Sequence, residues 1–89
     1  MEIITKTRFE KDIKKLKKRS KNFSKLEVIL NKLVSGQKLE DKYKNHPLVG
    51  NWRPCYEVHI EPDWLLIYYI DKENQQLILY RTGTHSDLF

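Results

Sequence analysis

The fold is decided by residues 52–82, which read WRPCYEVHIEPDWLLIYYIDKENQQLILYRT. Three stretches of this segment, at residues 52–60, 64–70 and 76–82, have the composition of β-strands. The first alternates in part between apolar and polar side chains, and the second is apolar or aromatic at every position, as expected of a central strand. Short polar segments that contain Pro, Asp and Asn separate the stretches and are typical of tight turns. The segment therefore predicts three consecutive strands joined by hairpins.

The residues that precede this segment predict one more strand and then a helix. Residues 2–5 (EIIT) predict a short opening strand. From residue 7 the apolar residues follow a helical period, and basic side chains cover the rest of the helix surface. The predicted apolar stripe consists of Phe9, Ile13 and Leu16. We predict Thr7 as the N-cap, with Glu10 completing a capping box three residues later.

A second helix is predicted to start after Asn22 and to end at Gly36, a residue suited to the left-handed conformation that follows many helices. Its predicted buried face consists of Phe23, Leu26, Leu30, Leu33 and Val34. Residues 37–51 follow neither period, and we expect an ordered loop whose course Pro47 and Gly50 determine. Residues 83–89 are long enough for a turn or a single coil of helix.

The predicted order is βααβββ, which indicates an α+β sandwich with an N-terminal helical hairpin packed on an antiparallel-dominated sheet. The chain has 89 residues, of which 39% are apolar, enough for one small core. We therefore expect a single domain over residues 1–89. No repeat, linker or low-complexity segment is visible.

Charge and cysteine content restrict the classes of function. Seventeen Lys and Arg against twelve Asp and Glu give a net charge of +5, which favours a polyanionic partner such as nucleic acid. The single Cys55 excludes an internal disulfide and a cysteine-based zinc cluster. The first residues lack the apolar stretch of a signal peptide, and no segment is long enough to span a bilayer. We therefore expect a cytoplasmic protein that does not contact membranes.

Four residues with useful chemistry flank the predicted turns. His59 and Asp63 lie at the first hairpin turn, while Arg81 and His85 lie at the end of the last strand. Because the start of one strand of a hairpin lies beside the end of the other, we expect all four at one end of the sheet. Each residue alone is ordinary, since most surface histidines have no catalytic role. Their convergence is what indicates a site.

This set of residues is what metal-free cleavage of RNA requires. RNA supplies its own nucleophile, the 2′-hydroxyl, so the enzyme must remove one proton, donate another and stabilise the phosphate. Histidine suits the proton transfers because its ordinary pKa is close to neutral, and the planar fork of arginine suits the phosphate. A zinc site is the alternative, but no HExxH spacing occurs and Arg81 would repel a cation. We therefore predict no metal and no cofactor.

Three segments of the sequence resemble a known family. They are NHPLVGNWR at residues 45–53, EVHIEPDWLLIY at 57–68 and LYRTGTHSDLF at 79–89. They contain the motifs HxLxGxW, HIxPDWLLxY and RxGxHSxLF in this order, and the resemblance covers nearly the whole chain. The family is the YafQ branch of the RelE/ParE superfamily of toxins.

The resemblance implies a RelE-like fold and a metal-independent endoribonuclease toxin of a type II toxin–antitoxin pair. Such toxins cut messenger RNA in the ribosomal A site, inhibit translation, and form a heteromeric complex with a cognate antitoxin. By resemblance, His85 is the general acid and Arg81 stabilises the transition-state phosphate. The acid–base and orienting set also includes His46, His59 and Asp63, and the substrate-contacting aromatic residues are Trp64 and Phe89.

Two alternatives to this function remain open at the level of sequence. A non-catalytic basic module that binds RNA or protein explains the charge but leaves the histidines without a role. A metal-dependent nuclease would use the histidines as ligands and would stop when a chelator is added. The lysine-rich first helix fits the ribosomal hypothesis through contacts to RNA phosphates, and it fits equally an ordinary solvated helix face.

Overall fold

The computed structural model describes residues 1–89 and contains five strands and three helices. The strands are β1 (Glu2–Thr5), β2 (His46–Pro47), β3 (Tyr56–Glu61), β4 (Trp64–Asp71) and β5 (Gln76–Gly83). The helices are α1 (Thr7–Lys18), α2 (Phe23–Val34) and α3 (His85–Leu88). The predicted βααβββ order is confirmed, and β2 and the one-turn helix α3 are added to it. No helix is long and apolar enough to cross a membrane.

All five strands belong to one sheet, in the order β1-β5-β4-β3-β2. The hairpins place β3, β4 and β5 side by side in antiparallel pairs, as predicted. The opening strand β1 pairs with β5 in parallel, a detail that the strand pattern did not indicate. A parallel pair needs a long crossover connection, and the segment that contains both helices provides it. The sheet is therefore antiparallel except at this edge.

Helices α1 and α2 pack against one face of the sheet and form the main core with it. Phe9, Leu16, Leu26 and Leu33 are buried there, as the helical periods predicted. The prediction for α2 was wrong in one respect, because its best-buried residue is Ile29, which we had not included. Three other residues of the predicted buried face are only half-buried and pack at the margin of the main core: Phe23, Leu30 and Val34.

The helix ends agree with prediction in α2 and differ in α1. The Asn22 side chain accepts a hydrogen bond from the backbone N–H of Ser24, and Gly36 has a left-handed φ of 73°. The capping box at Thr7 was wrong, since Thr7 already lies inside α1. The hydroxyl of Thr5 donates instead to a carboxylate oxygen of Glu10 at 2.6 Å. The side chain of Thr5, which precedes α1, thus forms a hydrogen bond with a side chain in the first turn of the helix.

The loop at residues 37–51 is more regular than predicted, and strand β3 is shorter. The loop contains two 3₁₀ turns and the two residues of β2, which pair with β3. Gly50 has a φ of 67°, which few other residues adopt readily. Strand β3 begins at Tyr56 rather than at residue 52, and Trp52 lies in a 3₁₀ turn. Pro54, which has no N–H to donate to a strand ladder, explains why β3 begins after it.

A smaller cluster covers the face of the sheet that is turned away from α1 and α2. Cys55, Leu65, Ile67 and Leu88 are buried in it. Val58 and Ile60 belong to the main core, so Glu57 and His59, which alternate with them along β3, lie on this second face. The C-terminal helix α3 closes this face through Leu88. The alternation of side chains along β3 therefore places His59 on the face of the sheet opposite α1 and α2.

Candidate active site

The three histidines form a row at one end of the sheet. The ring centroids of His46 and His59 are 6.4 Å apart, and those of His59 and His85 are 5.8 Å apart. Each ring comes from a different element: His46 from β2, His59 from β3 and His85 from the first position of α3. The convergence of His59 and His85 that the hairpins predicted is therefore present, and the pairing of β2 with β3 adds His46.

A buried carboxylate, Glu57, connects two of these rings and was not predicted. Glu57 lies opposite His46 in the β2–β3 ladder and two residues before His59 on the same face of β3. Its Oε1 is 3.1 Å from Nε2 of His59 and 3.5 Å from Nε2 of His46. The alternation of side chains between the two faces of β3 could have indicated this contact, since it places Glu57 and His59 on the same face. An ionised carboxylate there accepts the Nε2–H of His59 and leaves Nδ1 of that ring free to accept a proton.

Asp63 holds His85 by two contacts. One oxygen of its carboxylate accepts the backbone N–H of His85 at 2.9 Å and lies 2.6 Å from Nδ1 of the ring. The bond from the backbone N–H and then that from the ring lower the pKa of Asp63 below its ordinary value, so this group is ionised at neutral pH. Since an ionised carboxylate only accepts, Nδ1 of His85 carries hydrogen and Nε2 is the atom available for proton exchange.

Arg81 is paired with an acidic residue of α1 that the sequence analysis did not assign to the site. Its Nε donates to Oδ2 of Asp12 at 2.7 Å and its Nη2 donates to Oδ1 at 3.0 Å. The Arg81 side chain is 13% exposed, and the pairing with Asp12 raises its pKa above the ordinary value. Asp12 also accepts the backbone N–H of Thr82. The only signal for this pair was an acidic residue beside the apolar stripe of α1.

Trp64 is a core residue rather than a surface aromatic. It has no exposed area, and its ring meets that of Phe23 edge to face at 5.9 Å. Its indole N–H donates to the hydroxyl of Thr82 at 2.9 Å, and that hydroxyl donates to the carbonyl of Leu65. A ring enclosed in this way has no face to offer to a base. The structure therefore separates Trp64 from the substrate-contacting role that the resemblance implied.

Phe89, in contrast, is 62% exposed. It lies four residues after His85 in the sequence. Its backbone N–H donates to the carbonyl of His85, so Phe89 directly follows the single turn of α3 that His85 begins. The ring lies edge to face against Trp52 at 6.1 Å. An exposed aromatic ring that a second ring supports can stack on a nucleic-acid base.

A groove of 670 Å³ opens beside His59 and His85, and lysines line it. Lys25, Lys42 and Lys44 are among its lining residues. A larger groove of 880 Å³ lies at the other end of β4 and includes no histidine or arginine. Positive charge beside imidazole rings suits the binding of a phosphate chain, so the chemistry favours the smaller groove as the candidate site.

The sequence matches, over residues 1–89, the family described as "Bacterial toxin of type II toxin-antitoxin system, YafQ". The chain belongs to the YafQ toxin family. It is 41% identical over 83 residues to the mRNA interferase toxin YafQ of Escherichia coli K12, which covers 91% of this chain and 87% of that protein. This match and the family assignment confirm the resemblance read from the three motif segments.

Solved structures of YafQ-like toxins share the fold. A metal-bound toxin from Helicobacter pylori is 40% identical, with a TM-score of 0.94 over 100% of this chain and 99% of that one. The toxin of the Escherichia coli DinJ–YafQ complex is 38% identical, with a TM-score of 0.89 over 99% and 97%. The α+β architecture with βααβββ order is therefore that of YafQ structures.

Proposed function

We propose that this protein is an mRNA endoribonuclease that cuts messenger RNA on the ribosome and so inhibits translation as the toxin of a type II pair. The observation that carries the proposal is the row of His46, His59 and His85 beside a lysine-lined groove, in a chain similar to an mRNA interferase. A basic module that only binds RNA would have no use for three aligned imidazoles.

Cleavage proceeds by attack of the 2′-oxygen on the adjacent phosphorus. The bond from phosphorus to the 5′-oxygen breaks, and the products are a 2′,3′-cyclic phosphate and a 5′-hydroxyl end. His85 donates the proton of Nε2 to the departing 5′-oxygen, since Asp63 occupies its Nδ1. The neighbouring ring of His59, held by Glu57, accepts the proton of the 2′-hydroxyl. His46 adjoins Glu57 and orients the pair.

Arg81 contributes to this chemistry although only 13% of its side chain is exposed. Asp12 occupies its Nε and one hydrogen of Nη2, which fixes the plane of the guanidinium. The remaining N–H groups stabilise the phosphate in the transition state. Groove lysines such as Lys42 and Lys44 add positive charge along the RNA strand. Phe89 stacks on a messenger base at the end of α3.

The partners follow from this role. The related YafQ of Escherichia coli forms a complex with DinJ, and we propose that this chain likewise binds a cognate antitoxin in a heteromeric assembly. The whole of residues 1–89 acts as one toxin domain. Because its target is the translating ribosome, the protein works in the cytoplasm.

The test compares messenger RNA on translating ribosomes with the same RNA free in solution, each incubated with purified protein and the chelator EDTA at a concentration that keeps ribosomes intact. We expect new 5′ ends only on ribosome-bound messenger, and at an undiminished rate with chelator. Cleavage that stops with chelator would indicate a metal-dependent nuclease, and the absence of any new ends would indicate a binding module.

The basic surface of α1 predicts a salt-dependent attraction to ribosomal RNA. Lys11, Lys14 and Lys18 lie along one side of α1, are exposed, and have no acidic partner. Each phosphate contact contributes a slope of about −0.9 to log affinity against log salt. Replacing these three lysines with Gln should make that slope shallower by roughly 3 units if all three contact phosphates. Ribosome binding that is independent of salt in the unaltered protein would contradict this prediction.

A second activity, the binding of a transition-metal ion, is favoured by one specific observation. The ligand atoms of His46, Glu57 and His59 all lie within 4.8 Å of one another. Imidazole nitrogens with a carboxylate suit Zn²⁺ or Cu²⁺, and the related toxin from Helicobacter pylori is metal-bound. We propose that an ion here inhibits cleavage, because it takes the imidazole lone pairs that proton transfer requires.

This proposal predicts that added Zn²⁺ stops cleavage and that EDTA restores it. By calorimetry, His46→Gln should weaken Zn²⁺ binding at least about tenfold, because a three-ligand site loses one ligand. Cys55→Ser is the matched control, since it removes the only thiol and should leave the affinity unchanged. Zinc affinity that is the same in His46→Gln, or cleavage that is undisturbed at saturating zinc, would contradict the proposal.

A further inference from the structure

We propose that Asp87, clamped by Arg19 at the end of α1, is a positioning residue that holds His85 against His59. The inference rests on the proposed function, in which His85 donates the proton to the leaving oxygen. It assigns to the end of α1 a role in the active site beyond that of a basic surface. Neither Arg19 nor Asp87 lines the lysine-lined groove beside His59 and His85.

Helix α3 depends on contacts outside itself. It has only four residues, His85–Leu88, and a single helical turn is unstable in isolation because nucleation costs more than one hydrogen bond returns. A capping box stabilises its start: the Thr84 hydroxyl accepts the backbone N–H of Asp87 at 3.1 Å, and the Asp87 carboxylate accepts the N–H of Thr84 at 2.9 Å. Asp87 therefore already orders the backbone on either side of His85.

The same carboxylate is anchored to α1. Nη1 of Arg19 donates to Oδ2 of Asp87 at 2.7 Å, and Nη2 donates to Oδ1 at 3.1 Å. The Asp87 side chain is 13% exposed, and Lys15 lies 3.4 Å from it. The bonds from Arg19, and next those from Thr84, hold the pKa of Asp87 far below its ordinary value. A two-bond pair of this geometry fixes orientation as well as distance.

The strand before α3 is shaped to allow this approach. A Cβ atom on Gly83 would lie 2.9 Å from both Cβ and Oδ2 of Asp87, closer than real contacts allow. Only glycine therefore lets β5 end directly against the clamped carboxylate. On the opposite side, Asp63 bonds both the backbone N–H and the ring of His85. Helix α3 is thus held between α1 and the β3–β4 turn, with His85 at the junction.

Loss of the Arg19 anchor leaves α3 attached through Asp63, Leu88 and the single, longer contact of 3.4 Å between Lys15 and Asp87. The capping box can persist without Arg19, so the turn stays helical but is free to shift relative to the sheet. The main core contains no residue of α3, and the overall fold should therefore remain. The expected consequence is a less constrained His85 ring and slower chemistry, with RNA binding preserved.

The test uses Arg19→Gln, with Lys72→Gln as the matched control. Both remove one positive charge from an exposed side chain, but Lys72 lies in the turn at the far end of β4. In single-turnover cleavage on ribosomes, Arg19→Gln should lower the maximal rate about tenfold, as expected of a slightly misplaced catalytic group, and leave the half-saturating concentration unchanged. Lys72→Gln should change neither quantity. By NMR, the contacts between the His59 and His85 rings should weaken only in Arg19→Gln.

The His85→Ala background separates this inference from the proposed function. If Asp87 and Arg19 act through His85, adding Arg19→Gln to His85→Ala should cause no further loss of rate. An equal further loss in that background, or a full rate in Arg19→Gln alone, would overturn the clamp while leaving His85 as the acid. Full activity of His85→Ala would instead overturn the proposed function itself.

Discussion

Replacement of His85 by Ala should abolish the toxicity of this protein when it is expressed in cells. The ring is the only imidazole paired with Asp63, and its Nε2 is the proposed proton donor to the leaving oxygen. General acid catalysis contributes about 10²–10⁴-fold, so we expect the cleavage rate to fall by that factor. The measurement is single-turnover cleavage of ribosome-bound messenger, together with growth after induction.

The stability of the His85→Ala protein should change little, because the side chain is exposed. His85→Gln is a second variant that keeps a hydrogen-bonding group but cannot transfer a proton at neutral pH. It should be as inactive as the alanine variant. Undiminished toxicity in a double variant that lacks both His85 and Arg81 would refute the catalytic assignment.

Replacement of Trp64 by Ala should have the largest effect on stability. The ring has no exposed area, contacts Phe23 and donates its N–H to Thr82. Truncation of such a residue costs about 3–5 kcal/mol through lost burial and an internal cavity. Because small domains are stable by only about 5–15 kcal/mol, urea unfolding should show a strongly destabilised or partly unfolded protein.

Trp64→Leu distinguishes packing from contact with RNA. Leucine keeps an apolar side chain in the core but offers no ring on which a base could stack. We expect it to be more stable than Trp64→Ala and, where it is folded, to cleave messenger at close to the full rate. A stable Trp64→Leu protein that has lost cleavage would show that the indole does contact the substrate.

The strands and the meeting of His59 and His85 at one end of the sheet could be predicted because both follow from local patterns. The apolar run at residues 64–70 and the short polar turns indicate hairpins, and hairpins bring the ends of adjacent strands together. His59 and His85 therefore meet in the structure as the hairpins required. His46 could be assigned only from the family motif, because the two-residue strand that carries it has no pattern of its own.

The remaining features depend on contacts between distant parts of the chain. Asp12 binds Arg81 across 69 positions, and the only local signal was an acidic residue beside the apolar stripe of α1. Sequence reasoning therefore assigned Arg81 to the site without a partner and gave Asp12 no role. The burial of Trp64 likewise depends on contacts between distant residues. The resemblance implied that Trp64 contacts the substrate, but the half-buried Phe23 and the hydroxyl of Thr82 enclose its ring.

The contact of Glu57 with two histidine rings was not predicted from the sequence. By resemblance, the sequence places His46 and His59 in one acid–base and orienting set without dividing their roles, whereas the structure places one buried carboxylate against both rings. A carboxylate in this position orients an imidazole for proton transfer and also completes a ligand set for a metal ion. The proposed catalysis and the proposed metal inhibition would thus compete for the same three side chains, His46, Glu57 and His59.

We propose above that the end of the sheet that carries the histidine row cuts messenger RNA by activating its 2′-hydroxyl. The most direct measurement uses a ribosome-bound messenger with a single 2′-deoxynucleotide at the mapped cleavage position, compared with the all-ribose messenger. We predict that the all-ribose messenger gives a 2′,3′-cyclic phosphate and a 5′-hydroxyl end, and that the deoxy messenger is not cut at that position. Cleavage of the deoxy messenger at the same position and rate would contradict the account.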